Sequence, residues 1–236
     1  MIVTEVSGLK LERGEEGLYL TDGMVSVKGD FTSLIHRVRK DRLSSELLVK
    51  AAKIKNAKGF GMGEKLPLAV DATAGLGEDS FILAAAGYRV LMYEYNPTIA
   101  VLLKDAVERA LKESGIAEIA ERMEVIQGDS LEGLRKIKEA GEEVDIVLLD
   151  PMFPERQKSA LVKKKFQLLQ QLELPCHDEK SLLDGAMSVS PRRILIKRPL
   201  KGPYLAGVKP DYSLKGKAIR IDCINLAVKV STDPAD

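Results

Sequence analysis

From Pro67 onward, short runs of consecutive apolar residues alternate with longer stretches in which apolar side chains recur at helical spacing. LAVDAT, RVLMYE, MEVIQG, DIVLLD and RRILIKR read as strands. FILAAAG, TIAVLLKDAVERALKES and LEGLRKIKEAG, lying between them, read as helices. A basic helical segment is expected before RRILIKR, and a last strand pair around AIRIDCI and LAVKV. Strands that are near-continuous Val/Ile/Leu runs separated by helices predict a mostly parallel sheet with helices on both faces. In such sheets ligands bind outside the carboxyl ends of the strands.

The first 65 residues follow a different pattern. LYL and MVSV flank Thr21-Asp22-Gly23, and an Asp-Gly step supplies the positive φ of a tight hairpin. From Phe31 to about Lys58, Leu34, Ile35, Val38, Leu43, Leu47, Leu48, Ala51 and Ile54 recur near helical spacing, so one or two helices follow. Ser44 or Ser45 is the expected N-cap of the second. Gly59, Gly61, Gly63 and Pro67 read as a linker. The expected division is therefore a β-hairpin and helical extension over 1–65 and an α/β domain over 66–236.

Composition adds mainly exclusions. With 36 basic and 35 acidic residues the net charge is +1, so any attraction for nucleic acid comes from local patches. No apolar run approaches the ~18 residues of a membrane span, and the amino terminus has no secretory pattern. The expected location is the cytoplasm. Two cysteines, Cys176 and Cys223, with two histidines, form no disulfide framework and no zinc spacing. No metal is expected.

The first candidate chemistry is the turn Asp71-Ala72-Thr73-Ala74-Gly75-Leu76-Gly77-Glu78-Asp79, between a strand and a helix, where small residues let backbone amides approach a ligand. The dehydrogenase pattern GxGxxG is absent, since Ser80 holds the third position. About 20 residues beyond Gly75, Glu94 ends the next strand, where a carboxylate can accept bonds from two ribose hydroxyls. A dinucleotide and S-adenosylmethionine both suit that arrangement. Asp129-Ser130 closes the third strand and continues the row toward the adenine or ribose edge of a nucleoside; it also suits the N-cap of the next helix, which a bound cofactor would not prevent.

The most informative segment is Asp145 to Pro154, DIVLLDPMFP. A buried strand delivers Asp150 to the ligand edge, two prolines stiffen the loop, and Phe153 adds a ring. Asp150 and the Pro151 carbonyl can accept both N–H bonds of a planar amine and stabilise charge as its nitrogen attacks a methyl sulfonium. Phe153 would stack on the base.

DATAGLGEDSFILA, YEYNP, LLDPMFPERQKSALVKKK and ILIKRP together resemble the ribosomal RNA small-subunit methyltransferase J family, which methylates the guanine N2 amine of small-subunit rRNA. The likeness runs from about Val70 to Ile221, with a weaker echo at His36-Arg37. It implies a Rossmann-like S-adenosylmethionine-dependent methyltransferase with a mostly parallel seven-stranded sheet and a small amino-terminal β/helical extension. It further implies cofactor contacts at Glu78, Asp79, Glu94, Tyr95, Asp129, Ser130 and Asp150, beside Asp71, Gly75 and Gly77 of the turn. Catalysis would fall to Asp150, Pro151 and Phe153. The family commonly has arginine at the positions of Glu78 and Tyr95, and its glycine-rich stretch after His36-Arg37 is DRLSSELL here.

Small-subunit rRNA, free or assembled, is the implied partner. Arg156, Lys158, Lys163, Lys164 and Lys165 follow the loop directly and suit phosphate contacts. Lys197-Arg198, and His36 and Arg37 with Arg39, Lys40 and Arg42, would extend that surface. An amino-methyltransferase of DNA bases or protein amides, a non-catalytic RNA-binding relative and a nicotinamide dehydrogenase are the alternatives.

Overall fold

The computed structural model describes residues 2–6, 8–53, 65–151, 168, 169, 172 and 178–226. Two sheets are present among them. The first is antiparallel, in the order β1 (Ile2–Val6), β2 (Leu9–Gly14), β3 (Gly17–Thr21), β4 (Ser26–Val27). The β3–β4 connection is the expected Asp-Gly hairpin, with Gly23 at φ 89° and the Asp22 carboxylate accepting from the Met24 and Val25 amides.

Three short helices follow: α1 (Ile35–Val38), α2 (Lys40–Leu43) and α3 (Leu47–Ala52). The expected serine cap of α3 is not found. Glu46 holds the N-cap position without a side-chain cap bond, its carboxylate being taken by Arg37, while Ser45 Oγ donates to the Arg42 carbonyl. Gly59, Gly61 and Gly63 lie outside the described residues.

The larger sheet takes β5 (Leu68–Asp71), α4 (Glu78–Ala85), β6 (Arg89–Glu94), α5 (Pro97–Ala110), α6 (Ala117–Ala120), β7 (Met123–Gln127), α7 (Ser130–Glu139), β8 (Ile146–Leu149), α8 (Glu179–Ser188), β9 (Arg193–Pro199), β10 (Tyr212–Lys215) and β11 (Ile219–Asn225). Its seven strands run β10-β11-β9-β8-β5-β6-β7. The five from β9 to β7 are mutually parallel, and β11 and β10 are antiparallel additions. The last strand pair is therefore β10 with β11. LAVKV does not supply the partner: Leu226 is outside any strand and 227–230 lie outside the described residues. Helix α8 was not legible either, because its apolar face is reduced to Leu182, Leu183 and Ala186 and interrupted by Gly185.

Strand periodicity sorts the apolar runs into two cores. Ala69, Val90, Met92, Ile146, Leu148 and Leu195 face α3, α4 and α5. Val70, Leu91, Tyr93, Val147, Leu149 and Ile196 face α7 and α8. A third cluster seats the small sheet on α5, through Leu9, Leu11, Leu18 and Leu20 against Ile99 and Leu102. Beside it the buried Asp105 of α5 accepts from the Leu18 amide at 3.0 Å and from Arg109 at 2.8 Å. No helix among the described residues is long and apolar enough to cross a membrane.

Candidate functional site

The parallel strands end on one edge, and the chain order reverses between β5 and β8, the position at which a crevice opens in doubly wound sheets. From β5 the chain enters the glycine turn, with Gly75 at φ 55° and Gly77 at φ 76°. The two glycines serve different ends. A Cβ on Gly77 would lie 2.6 Å from Leu103 Cδ1, so packing as well as backbone demands glycine there. A Cβ on Gly75 would meet nothing within 4 Å, so this part of the turn faces open space.

Two carboxylates brace the turn. Asp71 is buried: one oxygen accepts from the Thr73 amide at 3.1 Å, the other from Ser80 Oγ at 2.6 Å. Burial raises its carboxyl to about 7, opposed by those two bonds. Both of its oxygens are thus engaged within the turn, which the side chain supports from beneath. Glu94, at the end of β6, accepts from the Gly75 amide at 2.9 Å through one oxygen and from the Asn96 amide at 2.8 Å through the other. Burial raises its carboxyl, again opposed by the amides. The Tyr95 amide bears on the same carboxylate, which keeps acceptor capacity for a further hydroxyl. Tyr95 beside it is 56% exposed. Asn96 caps α5 by accepting from the Thr98 and Ile99 amides. After β7, Asp129 caps α7 through the Leu131 amide, and Ser130 is buried.

Asp150 follows β8. Its amide donates to Thr73 Oγ1 at 2.7 Å, joining the substrate-loop strand to the glycine turn. Its carboxylate lies 3.0 Å from Lys197 Nζ, and the same ammonium contacts the Asp79 carboxylate of α4. All three side chains are at most 20% exposed. Pro151 is half-buried. Phe153 lies outside the described residues, as do Arg156, Lys158, Lys163, Lys164, Lys165, Cys176 and His177.

Three of the basic residues assigned to an RNA surface are engaged elsewhere. Lys197 is tied to the two carboxylates. Arg198 is fully buried, donating to the Pro203 carbonyl and to Glu179 at 3.0 Å each. Arg37 forks onto both oxygens of Glu46 at 2.8 and 2.9 Å. His36 is exposed, as are Arg39, Lys40 and Arg42. The role of Lys197 had a signal in the sequence: in RRILIKR it alternates onto the face of Leu195, which packs toward α4. A lysine at an inward position of a buried strand implies a buried anion.

A cleft of about 780 Å³ adjoins the turn, lined by Glu15, Glu16, Lys28, Asp30, Leu76 and Glu78 among others. Its acidic lining is unsuited to phosphate, and it does not include Glu94 or Asp150. No group of three or more His, Cys, Asp or Glu among the described residues could hold a metal ion.

A family model described as "Putative SAM-dependent methyltransferase" matches residues 1–225. A protein from Pseudomonas paraeruginosa named ribosomal RNA small subunit methyltransferase J is 40% identical over 215 residues, covering 89% of this chain and 79% of the relative. One of the same name from Thioalkalivibrio sulfidiphilus is 36% identical over 224 residues, covering 94% and 83%. The crystal structure of a SAM-dependent methyltransferase from Neisseria gonorrhoeae superposes with a TM-score of 0.70 at 31% identity, covering 94% of this chain and 81% of that one.

Proposed function

The chain belongs to the ribosomal RNA small subunit methyltransferase J family of S-adenosylmethionine-dependent methyltransferases, and from that premise we propose that it methylates the exocyclic N2 of a guanine in small-subunit rRNA. The observation that carries this reading is the placement of Asp150. It leaves a buried strand at the ligand edge, is bonded through its amide to the glycine turn, and shares Lys197 with the first turn of α4.

The residues present fit the cofactor. Gly75 opens onto free space, and beside it the Glu94 carboxylate retains acceptor capacity for ribose hydroxyl. Asp79, Asp150 and Lys197 together sum to −1, which complements a cationic donor. Bound there, S-adenosylmethionine supplies an electrophilic methyl group on a sulfonium sulfur.

Asp150 and the Pro151 carbonyl accept the two N–H bonds of the guanine amine, whose lone pair is otherwise delocalised into the ring. These bonds strengthen as positive charge builds on the nitrogen, so they favour the transition state over the ground state. Asp150 is also where the displaced proton goes. Phe153, from its place in the loop sequence, stacks on the base, and the basic run Arg156, Lys158 and Lys163–Lys165 meets backbone phosphates.

Two measurements test this reading. Mass spectrometry of rRNA from cells lacking the protein should show one guanine methylation missing. Label transferred in vitro from the methyl-labelled cofactor should enter small-subunit rRNA. Label entering DNA or protein instead would move the substrate to another amine, and cofactor binding without turnover on any of the three would leave a non-catalytic relative.

A further inference from the structure

Lys197 stands out among the described basic side chains, because it is a lysine drawn inward among carboxylates. Its ammonium contacts Asp79 on α4 and lies 3.0 Å from Asp150 at the end of β8, with the lysine side chain only 16% exposed. The groups facing this trio from neighbouring elements are Asp71 of β5, Glu78 of α4 and the Arg37–Glu46 pair packed beside α4. Two carboxylates sharing one site repel each other, and without a cation between them one takes up a proton. A protonated Asp150 has lost acceptor strength at the step where the amine needs it.

We infer that Lys197 is a positioning residue for methyl transfer, which fixes Asp150 at the ligand edge and offsets its repulsion with Asp79 by tying it to that carboxylate on the glycine-turn helix. This rests on the reading that Asp150 receives the amine. Lysine suits the role because its compact charge rotates freely between two partners. In the transfer the N–C bond forms as the C–S bond breaks, the C–S electron pair stays with sulfur, and one amine proton passes to Asp150 or on to water. Lys197 takes no part in bond making.

The test is methyl transfer to small-subunit rRNA between pH 6 and 9.5 for Lys197→Met, Lys197→Arg and the double variant Lys197→Met/Asp79→Asn, with S-adenosylhomocysteine affinity measured by calorimetry. For Lys197→Met at pH 7 kcat should fall roughly 100-fold, in the range of a misplaced acid–base group, with the KM for cofactor within about threefold. Its acid limb should move up, so the deficit is larger at pH 6 than at pH 9, the part due to lost positioning persisting throughout. Lys197→Arg should recover most of the rate, and adding Asp79→Asn should bring the acid limb back down. Asp79→Asn alone reads the same tie if Lys197→Met does not fold: its acid limb should lie below that of the unaltered enzyme.

A Lys197→Met rate within twofold of the unaltered enzyme would overturn the inference. So would a loss that is equal at every pH and is not rescued by arginine, or an acid limb unmoved in Asp79→Asn. If instead Asp150→Ala retains full transfer in the same assay, the failure lies with the reading of Asp150 itself.

Discussion

At the β5–β6 end of the ligand edge, Asp71 and Glu94 are held by neutral donors, backbone amides and one hydroxyl. At the β8–β9 end, Asp79 and Asp150 share one ammonium. Neutral donors fix a carboxylate's geometry without cancelling its charge, and burial accordingly raises both Asp71 and Glu94. The ammonium compensates charge, and the two carboxylates raise Lys197 well above the ordinary lysine value even though desolvation is the largest single influence and acts the other way. On the proposed reading the first end receives hydroxyls in a fixed frame, and the second serves a step in which charge develops and a proton moves.

The strongest challenge to that contrast is Glu94→Ala. It removes the acceptor for ribose hydroxyl and the anchor of Gly75, so cofactor affinity should fall about 100-fold, as expected for loss of a bond to a charged acceptor. Transfer at saturating cofactor should change far less. Calorimetry with single-turnover rates checks this, and a loss of rate without loss of affinity would merge the two ends into one.

Thr73→Val probes the joint between them. It keeps the side-chain shape but removes the acceptor of the Asp150 amide, which should cost about 1–2 kcal/mol in denaturant unfolding. The rate of transfer should drop more than cofactor affinity. Equal and negligible effects on both would show that the ends are positioned independently.

The smallest effect concerns Asp71. An acid raised to about 7 in the folded chain is stabilising in its neutral form; that contribution is complete below the unfolded value near 3.8 and is lost as pH rises through about 7. Asp71→Asn can still accept from Thr73 and can donate to Ser80, so its melting temperature should lose this pH dependence. At pH 8 it should melt about 2–4 °C higher relative to the unaltered chain than at pH 4, if about 1 kcal/mol of the penalty is removed. A constant difference across pH would show that Asp71 is ionised throughout.

The parallel sheet was legible because β5, β6 and β8 are apolar runs whose two faces are both covered, and each is followed by a turn or cap signal. Glu94 and Asp150 were legible because each ends such a run at the ligand edge. What escaped was set by tertiary partners. Tyr212–Lys215 is an edge strand with little apolar character, recruited by pairing with β11. Asp71 looks like any turn carboxylate until its burial under Ser80 is seen. Lys197 and Arg198 read as a basic surface pair, yet strand alternation sends one among carboxylates and the other into the interior against Glu179.

Whether the Asp150 carboxylate meets the reacting amine is read from the single-turnover rate of methyl transfer to small-subunit rRNA by Asp150→Asn, with both cofactor and RNA saturating. That rate should fall by about 100-fold or more, the range expected for loss of a charged acceptor in the transition state, with cofactor affinity nearly unchanged. A rate within twofold of the unaltered enzyme would contradict that contact.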